Sequence, residues 1–297
     1  MKRALGDWLL LGLTGAAVLV VLALMAVLFG LILVEGVPQL SGEFLTAAPS
    51  ADMTGGGVGP ALFGTAMMTL LMTVAVVPVG VATGIWLAEY APKGSRLARW
   101  VRAAVANLAG VPSIVFGLFG LGFFILFVGR GVDRLFHGGE PVWGQPSLLW
   151  ASLTLAVLTL PVVIVTTEES LRAVPDELRE AALGLGATRF QTTFRVVVPN
   201  AARGVLTGVI LAIGRGAGEV APIIFTGAAN FLPELPTDPR EMFMHLGYHV
   251  YALSTQSPNV DAARPALFGT VLVLMTLSFG LSAVAMVLRH RMGGARS

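Results

Sequence analysis

Six long stretches of this chain carry almost no charge, and that feature fixes the solvent in which the chain can fold. Trp8–Val34, Ala61–Ala88, Ala104–Val128, Leu148–Thr167 and Pro265–Leu288 contain no Asp, Glu, Lys or Arg. Gly204–Ala229 contains two, Arg215 and Glu219. An α-helix needs ~20 mostly apolar residues to cross a bilayer core of ~30 Å, and each stretch meets that length. The rest of the chain cannot compensate, because only 12% of the 297 residues are charged and 55% are hydrophobic. With a mean hydropathy of +0.81, too little polar surface remains to cover a soluble globule. A soluble enzyme and a disordered chain are excluded. The absence of Cys excludes a disulfide-built module, thiolate metal sites and thiol nucleophiles. The sequence therefore predicts an all-α membrane protein with six transmembrane helices. Pro78, Pro112 and Pro161 fall inside spans, where proline is tolerated.

Charge placement predicts the orientation. Residues 1–7, 89–103, 168–203 and 289–297 carry fourteen of the nineteen Lys and Arg. The opposite connectors, 35–60, 129–147 and 230–264, carry four (Arg130, Arg134, Arg240 and Arg264) and nine of the seventeen acidic residues. The positive-inside rule then places both termini in the cytoplasm of a multi-pass protein. The first span, preceded by Lys2 and Arg3, is too long for a cleaved leader and reads as an uncleaved signal anchor. This divides the chain into an anchor helix with its outer loop, 1–60, and a transmembrane domain, 61–297. The small net charge of +2 gives no nucleic-acid signature. A short helical piece is expected around Arg240–Leu253.

The connector 168–203 has internal structure. Pro175 suits a first helical turn, and Asp176 and Glu177 favour the positive end of the helix dipole. Gly184 and Gly186 are expected to stop that helix. Thr188 and Gln191 have the spacing of a capping box for a second helix, Arg189–Val198, with Pro199 expected to end it. The reading is two short helices joined by a glycine corner.

The spelling of this corner carries a family resemblance. Glu180-Ala181-Ala182, three residues, Gly186, nine residues, Val196, one residue and Val198-Pro199 resembles the E-A-A-x3-G-x9-I-x-L-P signature of ABC importer permeases. Val stands for Ile and for Leu. Further stretches resemble the phosphate-specific permeases, the A-type (PstA) subunit more than the C-type. These are Leu87-Ala88-Glu89-Tyr90, Gly110–Phe119, Thr166–Arg172 and Gly214–Pro222. Some relatives carry an arginine where this chain has Val165. The resemblance implies the fold of a type I ABC importer permease with a cytoplasmic coupling helix in the bacterial inner membrane. It implies that Glu180, Ala181, Ala182, Gly186 and Pro199 meet a separate ATP-hydrolysing subunit. It also implies a second, C-type permease subunit, two ATP-binding subunits and an outside phosphate-binding protein as partners. No cofactor, metal or catalytic residue is implied. The alternatives are a permease for another oxyanion, sulfate or molybdate, and the C-type phosphate permease subunit.

Arg215 sits ~16 Å into the fifth span, counting 1.5 Å per residue from Gly204. A central Arg opposes insertion by ~2.5–3.5 kcal/mol, so it faces a partner or a wet cavity rather than lipid. Its planar fork of donors fits phosphate oxygens. Glu219, four residues on, is placed to pair with it. The competing reading is a purely structural ion pair. Gly214, Gly216 and Gly218 thin the helix around the pair, which permits bending or close approach of a neighbour.

Other signals are weaker. Glu241, His245 and His249 fall at steps of four and could line one helix face, but no further ligand cluster supports a metal. Glu168–Glu169 reads as a helix-end or partner contact rather than an acid/base pair. Phe116, Phe119, Phe123, Phe124 and Phe127 follow helical spacing, expected in core or lipid contact. Neither Lys2 nor Lys93 ends a phosphate-binding G-x-x-x-x-G-K-[ST] loop, so ATP hydrolysis is expected from another chain.

Overall fold

The computed structural model describes residues 2–52, 54–92 and 94–294, and gives backbone alone for residues 2–9, 285, 288–289 and 291–294. Arg296, and the side chains of Lys2, Arg3, Lys93, Arg289 and Arg291 from the charge count, lie outside the described residues. The described residues are almost entirely helical. In order they form α1 (Lys2–Gly36), α2 (Gly42–Thr46), α3 (Gly59–Ile85), α4 (Arg96–Ala109), α5 (Ser113–Phe119), α6 (Arg130–Phe136), α7 (Leu148–Arg172) and α8 (Asp176–Gly184). The remainder are α9 (Arg189–Thr192), α10 (Val198–Gly218), α11 (Leu246–Thr255) and α12 (Val260–Gly294). Wide π turns extend α3 over Trp86–Tyr90, join α5 to α6 over Gly120–Gly129 and join α9 to α10 over Thr193–Val197. Among the described residues, six helical stretches are long and apolar enough to cross a membrane.

The bundle is built around α7, which packs between α3 and α10. Their shared core holds Met68, Met72, Val76, Leu155, Val163 and Ala212. Small residues bring the backbones close. A Cβ on Gly84 would lie 2.6 Å from the Thr167 Cβ, and one on Gly208 would overlap Thr166. In lipid this close packing replaces the hydrophobic force that drives soluble cores together. Several buried hydroxyls bond back to their own helix, as Thr69 Oγ1 does to the Thr65 carbonyl at 2.7 Å, which leaves them satisfied away from water. α1 stands at the edge with α12 as its main neighbour, and Arg264 bonds Glu35 at 3.2 Å between them. From Leu10 to Val34 its Leu, Val, Met and Phe side chains are exposed, as for a helix bathed in lipid.

Four boundaries differ from the sequence reading. The third span does not begin at Ala104. The chain breaks at Gly110–Pro112, and the crossing helix runs Ser113–Phe136. The preceding α4 is a separate helix. The fifth crossing helix starts earlier, at Arg189, and stops at Gly218. Glu219 is already extended, with φ −79° and ψ 127°. Three glycines weaken the helix there, and Pro222 disfavours helical backbone just before it. Pro199 does not end a helix. It lies in the first turn of α10, where the preceding π turn accommodates its missing N–H. The outer helical piece is Leu246–Thr255, so Glu241 falls outside it.

The 25-residue α7 (~37 Å long at 1.5 Å per residue) separates two ends. At its N-terminus, the backbone N–H groups of Leu148 and Leu149 donate to the Glu241 and Pro239 carbonyls at 2.8 and 2.9 Å. The Asp133 carboxylate accepts from the N–H groups of Val142, Trp143 and Gly144 nearby. Its C-terminus leads directly into α8.

Candidate functional site

The segment Asp176–Gly186 is built to present a surface rather than to fill one. α8 has no buried residue. It ends in a paired carbonyl clasp: the Gly186 N–H donates to the Leu183 carbonyl at 2.9 Å and the Ala187 N–H to the Ala182 carbonyl at 3.1 Å. That geometry requires left-handed backbone at Gly186, which has φ +84°, a conformation open to glycine at no steric penalty. The capping box of the next helix is formed, with Gln191 N–H to Thr188 Oγ1 at 3.2 Å and Thr188 N–H to Gln191 Oε1 at 2.9 Å. The two motifs hold the corner rigid. Glu180, Ala181 and Gly186 are exposed, while Ala182 and Pro199 are half-buried. Pro175 lies immediately before the helix rather than in its first turn. Leu178, Leu183 and Phe190 are exposed around the corner, and Leu185 is 91% exposed. Exposed apolar side chains grouped in this way mark an interaction surface.

A residue that sequence reasoning missed ties this corner to the bundle. The Arg179 guanidinium donates to Glu89 at 2.8 and 3.4 Å, to Asp176 at 3.1 Å, and to the Leu171 and Val174 carbonyls at 2.7 and 2.6 Å. Its side chain is 18% exposed and that of Glu89 is 10%. The bonds to Glu89 raise the Arg179 pKa above its usual range, with burial opposing. Arg179 thus joins α8 to the end of α3 and the end of α7 at once. Beside it, Glu168 is buried and accepts from Arg102 at 2.9 Å, while Arg172 lies 2.7 Å away. The same Arg102 donates to the Leu87 carbonyl at 3.0 Å. Glu168 is therefore a helix-end clamp, as expected, and Glu169 is exposed. The sequence signal for this pair was slight: Glu89 lies in a stretch carrying the family resemblance, and Arg179 directly precedes the signature that begins at Glu180.

Arg215 and Glu219 come together with Nε and Oε1 3.5 Å apart. Glu219 reaches back from beyond the helix end rather than from the same helix face, which corrects the expected geometry. Arg215 lies in the last turn of α10, not midway along the crossing helix as the count from Gly204 implied, because that helix runs Arg189–Gly218; a cation there suits the negative end of the helix dipole. Its side chain is 42% exposed in the single chain, so it stands on an open face. Gly216 on the adjoining face meets Met72 of α3. The Val165 side chain is also exposed.

Glu241, His245 and His249 do not share a helix face. Glu241 accepts from the Thr237 N–H at 2.9 Å, and His245 precedes α11 with its Nδ1 accepting from the Gly247 N–H at 3.1 Å. Both histidines are buried. Burial pushes the His245 imidazole down to about 3, with the Ala217 carbonyl opposing, and pushes His249 down to about 4. Among the described residues no three His, Cys, Asp or Glu side chains gather as metal ligands. The phenylalanine ladder divides as expected: Phe116 is buried, while Phe119, Phe123 and Phe127 are exposed and stack in turn. A cavity of about 710 Å³ lies among the connectors 129–147 and 230–264, lined by residues such as Gln145, Asp238 and Arg240 and not by Arg215.

Residues 80–293 match the family described as "Binding-protein-dependent transport system inner membrane component". The chain is 35% identical over 295 residues to the "Probable ABC transporter permease protein YqgI" of Bacillus subtilis (strain 168), covering 95% of each. It is 32% identical over 268 residues to the "Phosphate transport system permease protein PstA" of Haemophilus influenzae, covering 90% of this chain and 88% of that one. Its fold is similar to a chain of a bacterial alginate ABC transporter crystallised with its alginate-bound periplasmic protein. That likeness has a TM-score of 0.66 at 17% identity and covers 98% of this chain and 97% of the other.

Proposed function

The chain belongs to the family of binding-protein-dependent transport system inner membrane components, and from that premise we propose that it is the A-type permease subunit of an ATP-driven importer of inorganic phosphate. The reading rests above all on its near-full-length likeness to a phosphate transport permease, and Arg215 on an open face of a spanning helix supports it. In this reading Arg215 presents an always-charged fork to a passing oxyanion. Glu219 keeps the empty site near neutral and limits the attraction, since a transported anion must leave again. The exposed corner Glu180–Gly186 docks on a separate ATP-hydrolysing subunit. Both chain ends lie in the cytoplasm.

Displacement of the docked corner reaches the spanning helices through Arg179. Because that guanidinium on α8 grips Glu89 of the α3 extension, the Leu171 carbonyl of α7 and the Val174 carbonyl just beyond it, the three elements move together. Alternating access follows when this chain and a second permease rock about the path between them. The test is ATP hydrolysis by the reconstituted complex on addition of its binding protein loaded with phosphate, sulfate or molybdate. Stimulation by the phosphate-loaded form is expected. Stimulation by another oxyanion alone would overturn the choice of cargo.

A further inference from the structure

The separate helix α4 is unaccounted for by either the docking corner or the transport path. Its inner face is explained: Ala98 is buried against Leu87 and Ile164, and Arg102 is spent on Glu168 and the Leu87 carbonyl. Its outer face is not. Arg96, Arg99, Trp100 and Ala103 fall at i, i+3, i+4 and i+7 and line an open groove of about 400 Å³. Trp100 is 75% exposed, and Leu97 beside it is exposed as well. Arg96 and Arg99 have no acidic partner among the described residues.

The chain path sets where this face lies. Five residues separate the α3 extension from α4, and Gly110–Pro112 leads straight into the third span. The four Cα steps from Ala109 to Ser113, at ~3.6 Å each, span ~14 Å at most. Packing against Leu87 in the α3 extension and Ile164 about two turns before the end of α7, together with the Arg102–Glu168 bond, holds α4 beside the final turns of two spanning helices. A helix at that depth lies beside the headgroup layer. There a tryptophan is favoured, and a helix with basic residues and an apolar stripe lies along the surface. α4 shares the Arg102–Glu168 and Arg179–Glu89 end of the bundle, the end predicted to face the anionic leaflet.

We propose that α4 is a membrane-surface helix whose Arg96–Arg99–Trp100 face binds the phosphate headgroup of an anionic phospholipid. Two guanidiniums one turn apart supply charge and hydrogen-bond donors to a phosphate diester. Trp100 and Leu97 enter the acyl boundary beside it. A lipid held there braces α4, and through Arg102 it braces the ends of α3 and α7 to which the coupling corner is pinned. A second protein is the less fitting occupant, because this face carries the mixture of apolar and unpaired basic side chains suited to a charged interface with hydrocarbon behind it.

The full chain, assembled with its ATP-binding subunits, is placed in vesicles of phosphatidylcholine alone or mixed with phosphatidylglycerol. Retained phosphatidylglycerol is counted by native mass spectrometry. Two basic residues at ~1 kcal/mol each correspond to about a 30-fold loss of affinity in the Arg96→Ala/Arg99→Ala double variant. Arg96→Lys/Arg99→Lys retains most binding, and Trp100→Phe retains more than Trp100→Ala. Excess inorganic phosphate does not displace the lipid. Equal retention by the wild type and the double Ala variant would overturn the proposal. So would loss of the ATP-binding subunits from that variant with lipid retention unchanged, since the face would then be a protein contact. Lipid counting requires no transport, so its failure leaves the importer reading untouched.

Discussion

Replacing Arg179 with Ala removes the link between the coupling corner and the bundle while leaving the corner's own motifs in place. The lost interactions are the two bonds to Glu89, one to Asp176 and two to backbone carbonyls. Asp176 is largely exposed and adds little. The Glu89 pair is mostly buried, and stripping one partner from a fully buried pair destabilises by ~3–5 kcal/mol. Residual exposure lowers that to ~2–3 kcal/mol, a rise of about 30–150-fold in the population with α8 undocked from α3 and α7. Two measurements read this out. Amide hydrogen exchange across Leu178–Leu185 should accelerate by that factor relative to wild type, because local opening sets the protection of such a segment. In proteoliposomes the complex should still hydrolyse ATP, but phosphate imported per ATP should fall steeply. Glu89→Gln should behave similarly, and the double variant should be little worse than either single one. Unchanged protection together with an unchanged phosphate-to-ATP ratio in Arg179→Ala would refute the joint.

Arg215→Ala should abolish phosphate uptake while the complex still assembles, with Arg215→Lys intermediate; normal uptake by the Ala variant would remove Arg215 from the path. Gly186→Val places a β-branched residue at φ +84°, a strain of ~1–3 kcal/mol, and should reduce copurification of the ATP-binding subunit, whereas Gly186→Asn should be tolerated; equal copurification by both would sink the docking role. Gly208→Leu drives a side chain into Thr166 and should lower the melting temperature in detergent, overpacking opposing folding by ~1–3 kcal/mol. Burial holds the His245 folded-state value near 3 against 6.5 in the unfolded chain. The unfolded chain therefore binds more protons between these values. Its contribution to stability is complete above about 6.5 and is lost as pH falls toward about 3. A pH-melting profile should slope downward on acidification and flatten in His245→Gln; an unaltered slope would contradict the buried neutral imidazole.

The parts legible in the sequence were those written locally. Charge-free runs gave the six spans, and the corner at Gly186 and the box at Thr188–Gln191 formed as their spacing implied. Two errors came from treating an apolar run as one helix. Hydropathy does not separate helix from break, so Gly110–Pro112 was absorbed into the third span and Glu219–Pro222 into the fifth. Pro199 misled for the opposite reason: a widened turn before it lets the helix continue. The joint was hidden because Arg179 and Glu89 lie 90 residues apart, and Glu168 and Arg102 lie 66 apart. Only the packing of α3, α4 and α7 brings them together.

The most direct trial of the importer reading is accumulation of labelled phosphate in proteoliposomes holding the whole complex, its binding protein and ATP on the appropriate sides. Phosphate should accumulate against its gradient only while ATP is hydrolysed, with sulfate and molybdate left outside. Accumulation without ATP, or none in an assembled complex that hydrolyses ATP on contact with its phosphate-loaded binding protein, would contradict it.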